Sequence, residues 1–169
     1  MATASNILKN FNLYVDGRGF AGVVDELQLP TLGLVVEDFR AGGMDASVAV
    51  EMGQEKLEAS FVLSGYEENV LNLWGMGQGQ TVPLVARGAL ESLDGAVTPV
   101  VVYMNGTIRS MEPGAWKAGE KSTISFTMDL RSYKYTQAGR TINDIDVPNM
   151  VRIVNGVDRL AAQRNAIGI

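Results

Sequence analysis

Residues 121–135, KSTISFTMDLRSYKY, decide the fold class of this chain. Ile124, Phe126, Met128 and Leu130 are apolar, and Thr123, Ser125, Thr127, Asp129 and Arg131 between them are polar. This period of two predicts a strand with one face in a core and the other turned to water. At ~3.3 Å per residue the stretch would span on the order of 50 Å, about twice an ordinary strand. Beyond Arg131 the large residues change parity, to Tyr133 and Tyr135, which predicts a bulge or sharp twist there.

The remainder reads as partners for this strand. Residues 12–15 and 20–24 flank Asp16-Gly17-Arg18-Gly19, a hairpin signal because glycine accepts positive φ. Pro30 stops the second of these strands, and residues 32–40 predict a third. In 47–52, Val48, Val50 and Met52 alternate with smaller or charged residues. In 56–63, Leu57, Ala59, Phe61 and Leu63 share one face, opposite Lys56, Glu58 and Ser60. Further strands are predicted over 81–90, 97–111, 141–145 and 151–154, with Pro83 and Pro99 near strand ends. The pattern is mainly β and antiparallel. One helix is expected over 64–75, with Ser64 and Glu67 as a capping box and Tyr66, Val70, Leu73 and Trp74 as its apolar stripe. Asn155 is expected to cap a last short helix.

A chain of 169 residues, 46% hydrophobic and 20% charged, fits one domain spanning 1–169 with a real core. It holds no cysteine and no histidine. That excludes disulfides, thiolate nucleophiles, Ser-His-Asp triads and histidine-ligated zinc. A net charge of −5 argues against a tight nucleic-acid grip, which needs a cationic footprint. The opening MATASNILKNFN lacks the charged start and apolar run of a signal peptide, and no apolar run reaches membrane-spanning length. The expected compartment is the cytoplasm of the producing cell.

Gly17-x-Gly19-x-x-Gly22 matches the dinucleotide-binding fingerprint. The chemistry requires a helix N-terminus at the third glycine, and the sequel Val23 to Pro30 is too short and strand-like to supply one. The motif therefore reads as a glycine-rich β-turn. Asp144 with Asp146, and Glu67 with Glu68, are carboxylate pairs without supporting ligands, and read as surface charge. Trp74 is expected in the core, whereas Trp116 lies in a loop and is a candidate interface anchor. Ala41-Gly42-Gly43-Met44-Asp45 is either a mobile hairpin end or a contact arm.

Five motifs in register carry a resemblance across nearly the whole chain. They are Asp16-Gly17-x-Gly19-Phe20-Ala21-Gly22, Arg40-Ala41-Gly42-Gly43-Met44-Asp45-Ala46, Glu112-Pro113-Gly114-Ala115-Trp116-Lys117-Ala118-Gly119-Glu120-Lys121, Ser132-Tyr133-Lys134-Tyr135, and Asn155-Gly156-Val157-Asp158-Arg159-Leu160 with Arg164-Asn165. The chain resembles the major tail tube proteins of contractile-tailed phages, the FII family, which also includes the tube of R-type pyocins. The resemblance implies an antiparallel β-barrel-like sandwich with one flanking α-helix and a short C-terminal helix. It further implies a structural subunit without catalytic residues or cofactor.

Six copies would form a ring, and stacked rings a hollow tube in the virion tail, assembled in the host cytoplasm. The expected partners are copies of itself, a contractile sheath outside, a baseplate and a tail terminator at the ends, and DNA or a tape-measure protein passing through the lumen. Residues 40–55 are expected to form an arm to the next ring, with Arg40, Gly42, Gly43, Met44 and Asp45 at its contact end. Glu51, Glu58, Thr123, Ser125, Thr127 and Asp129 are expected to face an acidic lumen. The alternatives are the tube of a tail-like bacteriocin or injection device and, from a different class, a small ligand-binding β-domain using the glycine turn or Trp116.

Overall fold

The computed structural model describes residues 5–20 and 22–169. The strands are β1 (Ile7–Val15), β2 (Arg18–Gly19), β3 (Val24–Gln28), β4 (Leu34–Phe39), β5 (Val48–Gln54), β6 (Glu58–Leu63), β7 (Val82–Glu91), β8 (Val97–Pro113), β9 (Ile124–Gln137), β10 (Arg140–Asp146), β11 (Val151–Val154) and β12 (Val157–Asp158). Helix α1 (Glu68–Leu71) follows β6, and α2 (Ala161–Ile167) ends the chain. Every pairing among these strands is antiparallel.

The strand read first in the sequence is the hub. β9 pairs with β8 along one edge, and on its other edge with β6 and then β10. Ile124, Phe126, Met128 and Leu130 are all buried, as their alternation requires. Opposite Gly106 and Asn105 of β8, the partners on β9 are Leu130 and Ser132, so Arg131 is an extra residue. That bulge flips the parity and sends Tyr133 into the core. Phe61 of β6 and Phe126 of β9 are paired across the strands, with rings stacked at 4.9 Å between centroids.

From β9 the sheet continues through β8 and β7 to β1 and β2. Beyond β6 lies β3. The two ends approach without pairing among the described residues, so the sheet is curled but not closed into a barrel. Between them a cleft of about 130 Å³ is lined by Leu8 and Phe11 of β1, Leu27 of β3, and Val100 and Val102 of β8. The apolar inner face forms one core from β1, β6, β7, β8 and β9. Three hairpin turns, Asp16-Gly17, Ala138-Gly139 and Asn155-Gly156, place both residues at positive φ, which suits the twist of the strands they join.

Several local expectations are corrected. The helix after β6 is a single turn, and Ser64 bonds the Val23 carbonyl through both its N–H and its hydroxyl instead of capping that turn. Glu67 occupies the N-cap without a side-chain bond. Of the expected stripe only Val70 is fully buried, while Trp74 is 52% exposed and donates its indole N–H to the Arg109 carbonyl. Four residues cannot carry an amphipathic face. Asn155 caps no helix, because it opens the β11–β12 turn, and α2 begins after Leu160.

Burial lifts the Tyr133 phenol from 10.0 to about 12, and the neighbouring Tyr135 adds to the rise. The native state therefore holds the proton more tightly than the unfolded chain does. This contribution to stability is complete below pH 10 and is lost as pH rises through about 12. Denaturant unfolding from pH 9 to 12 should show a steeper alkaline loss in the wild type than in Tyr133→Phe. Equal slopes would show that Tyr133 is not the group responsible.

Candidate functional site

Two surfaces stand apart from the core. The first is a ribbon of β4 and β5, which pair only with each other. Residues 32–40, expected as a strand of the body, form the first half of this ribbon through β4. Their apolar residues are as strand-like as any, but Leu34, Val35, Val36 and Phe39 are all exposed. Across from them Val48, Val50 and Met52 are exposed as well. The expected arm of 40–55 thus comprises the tip and β5 of a ribbon whose other strand is β4.

Its tip is a turn in which Met44 N–H donates to the Ala41 carbonyl and Arg40 Nε donates to the Met44 carbonyl. Gly42 and Asp45 lie there without Cβ crowding or an ionic partner among the described residues, and Gly43 supplies φ +92°. Midway along β5, opposite Val36, Glu51 pairs with Arg152 of β11, which ties the ribbon to the C-terminal segment. Glu51 therefore belongs to the ribbon, away from the β6–β9 face where its fellow candidates lie.

The second surface is the outward face of β6, β9 and β8. Ser125 and Thr127 sit there opposite Val62 and Ser60, and Asp129 sits opposite Glu58. Thr123 precedes β9 at the rim, where its carbonyl accepts the Gly114 N–H at 2.8 Å. The sequence places Lys56 on the face of Glu58 but does not reveal Arg109 beside it. Lys56 reaches Asp129 at 2.8 Å and Glu58 at 3.4 Å, and Arg109 contacts both carboxylates. Arg109 follows the outward row of β8 and is the extra residue of a second bulge between Ile108 and Ser110, after which the parity shifts and Ser110 and Glu112 face outward. The hydrogen bond to Asp129 chiefly raises the Lys56 pKa, so its ammonium stays charged. Glu112, opposite Ser125, adds an acidic group to this face.

Trp116 is 78% exposed, with its indole N–H donated to the Tyr66 hydroxyl at 2.7 Å and its ring edge-on to that of Tyr66. The carboxylate pairs are structural. Asp144 faces Lys134 at 3.9 Å, and Asp146 accepts from the Asn149 backbone and side-chain N–H. No cluster of three potential metal ligands occurs among the described residues. The glycine motif is a hairpin turn leading into β3, with no helix for a pyrophosphate to cap.

Comparison with known proteins agrees with this geometry. A family profile described as phage tail tube protein FII matches residues 5–168. The tail tube protein of Escherichia phage P2 is 30% identical over 166 residues, covering 96% of each chain. The major tail tube protein of Serratia phage KSP20 is 29% identical over 147 residues, covering 85% of this chain and 84% of that one. Among solved structures, a chain of the anti-feeding prophage tube-terminating cap superposes with a TM-score of 0.59 at 12% identity, covering 76% of this chain and 88% of the other. A chain of the PVC extracellular contractile injection system sheath–tube complex gives 0.56 at 10% identity, covering 75% and 87%. At such identities the superpositions speak to the fold.

Proposed function

The chain belongs to the phage tail tube protein FII family, and from that premise we propose that its copies form sixfold rings stacked into the inner tube of a contractile phage tail. Family membership makes it a structural tube subunit, not an enzyme. The observation that carries the ring-stacking proposal is the exposed ribbon. Its valines, Phe39 and Met52 project where the described residues leave them exposed. A neighbouring ring supplies that cover.

In this reading the face of β6, β9 and β8 lines the bore, with Ser125, Thr127, Glu58 and Asp129 on the wall and Thr123 at its rim. Lys56 and Arg109 neutralise two carboxylates locally, and Glu112 leaves the patch mildly acidic. Such a wall wets the lumen yet offers no cationic track for phosphates, so DNA or a tape-measure protein passes without being held. A sheath surrounds the tube and drives it through the target envelope, and terminator and baseplate close its ends. Trp116 serves as an anchor to one of these neighbours. Cryo-microscopy of assembled particles tests the arrangement. Rings of another symmetry would remove the sixfold count, and a permanent monomer would remove the tube. DNA inside purified particles separates a phage tail from a tail-like bacteriocin or injection device.

The wall makes a second measurable difference. Tubes of the wild type should not retain duplex DNA at low salt. Tubes carrying Thr127→Lys, with six added cations per proposed ring, should co-sediment with DNA at 50 mM salt and release most of it by 200 mM, a loss on the order of 10³ in affinity. Tight retention by the wild type would overturn the non-adhesive wall.

A further inference from the structure

The ribbon and the C-terminal segment are opposite in charge and alike in exposed apolar surface. Residues 34–54 carry Glu37, Asp38, Asp45 and Glu51 against a single Arg40. Residues 150–169 carry Arg152, Arg159 and Arg164 against Asp158 alone. Within one chain only part of this charge is used. Glu51 takes Arg152, and Arg164 is held by Asp158 at 2.8 Å and by the Met150 carbonyl. Among the described residues Glu37, Asp38, Asp45 and Arg159 have no ionic partner. Arg140 lies beside the β11–β12 turn, bonded only to the neutral side chain of Asn155.

The apolar surfaces correspond too. Strand register places Phe39 with Val48, and Glu37 with Val50, on the ribbon face opposite Glu51. That face is therefore turned away from its own Arg152 contact. On the other side, α2 buries none of its residues, and Val157 and Ile167 stand exposed at 51% and 63%. Glu51 meets Arg152 midway along the ribbon, opposite Val36, so three further residues of β4 carry the tip about 10 Å beyond that contact. The tip is positioned to meet another molecule.

We propose that the free ribbon face of one copy docks on the C-terminal segment of a second copy, Phe39 and Val48 covering Val157 and Ile167 while Glu37 meets Arg159 and Arg140. This rests on the ring-stacking reading above and specifies its receiving surface. The contact is head-to-tail, because each copy gives one ribbon and receives one, and between stacked rings such contacts need not close on themselves. Charge complementarity sets the register, and the aliphatic contact supplies most of the affinity.

The absence of cysteine makes the test direct. Full-length Phe39→Cys/Val157→Cys should polymerise and, after mild oxidation, give a ladder of covalent multimers on denaturing gels without reductant. Glu37→Arg alone should raise the concentration needed for polymerisation at least tenfold, and Arg159→Asp added to it should restore most of the loss. Tubes that form without a ladder, together with no rescue by the second reversal, would overturn the docking site and leave the stacked tube standing. A ladder from Phe39→Cys/Leu8→Cys instead would place the receiver on the N-terminal strand and equally overturn it. Wild-type protein that never polymerises would overturn the tube itself.

Discussion

Replacing residues 41–45 by a short serine linker is expected to abolish tube formation while leaving the subunit folded. The tip contributes no buried residue to the core, and its hydrogen bonds run within the turn. The melting temperature should therefore move by no more than a few degrees. Assembly responds differently. Met44 and the valines behind it are the apolar groups that a neighbouring ring would cover, and burying one such side chain contributes about 2 kcal/mol. Docking also orders the glycine-bearing turn, at a cost of about 1–2 kcal/mol per residue fixed. The net gain per arm is modest, but in a proposed ring six arms dock together and their losses multiply. Sedimentation should find no polymer at concentrations where the wild type is largely assembled, and microscopy should find no tubes. Normal polymerisation of this variant would show that the arm has no such role.

The contrast between ribbon and core marks where sequence becomes legible. In β9 the inward and outward rows differ in chemistry, so both the strand and its faces could be read, and the bulge at Arg131 announced itself through parity. In β4 both faces carry large apolar residues, and the local pattern is that of a strand buried in a sheet. What distinguishes β4 is the missing partner in space, a fact about the assembly that no local pattern encodes. Trp74 is an analogous case. Its spacing fits a helical stripe, yet the helix stops after one turn and the indole lies across the Arg109 backbone instead. Glu58 and Asp129 were legible as one polar row because they sit on adjacent strands of opposite parity to the core. Their neutralisation by Arg109 was not, because it comes from β8, a third strand whose place beside β9 no local pattern encodes.

Gly106 is the position where the hub strand leaves no room, and its replacement should have the largest effect on the isolated subunit. It continues the inward row of β8 after Val100, Val102 and Met104, and alternation alone would allow a valine there. The structure places it opposite Leu130, immediately before the Arg131 bulge. A Cβ on Gly106 would stand 2.8 Å from the Leu130 Cα, and closer still to the Asp129 carbonyl oxygen. Both are backbone atoms and cannot rotate away, so relief requires β8 and β9 to separate. That separation would disturb Asp129, whose side chain joins Lys56 and Arg109, and the stacked Phe61–Phe126 layer nearby. Overpacking typically costs 1–3 kcal/mol, and backbone contact puts Gly106→Ala at about 3 kcal/mol. Against a native stability of about 5–15 kcal/mol, Gly106→Val should leave little folded protein at 37 °C. Gly77→Ala is the matching control, since nothing lies within 4 Å of a Cβ there, and its change should stay within about 0.5 kcal/mol. Equilibrium unfolding in denaturant measures both. Should Gly106→Ala unfold at the same denaturant concentration as Gly77→Ala, the strands are free to part at the bulge and the close approach does not constrain the sequence.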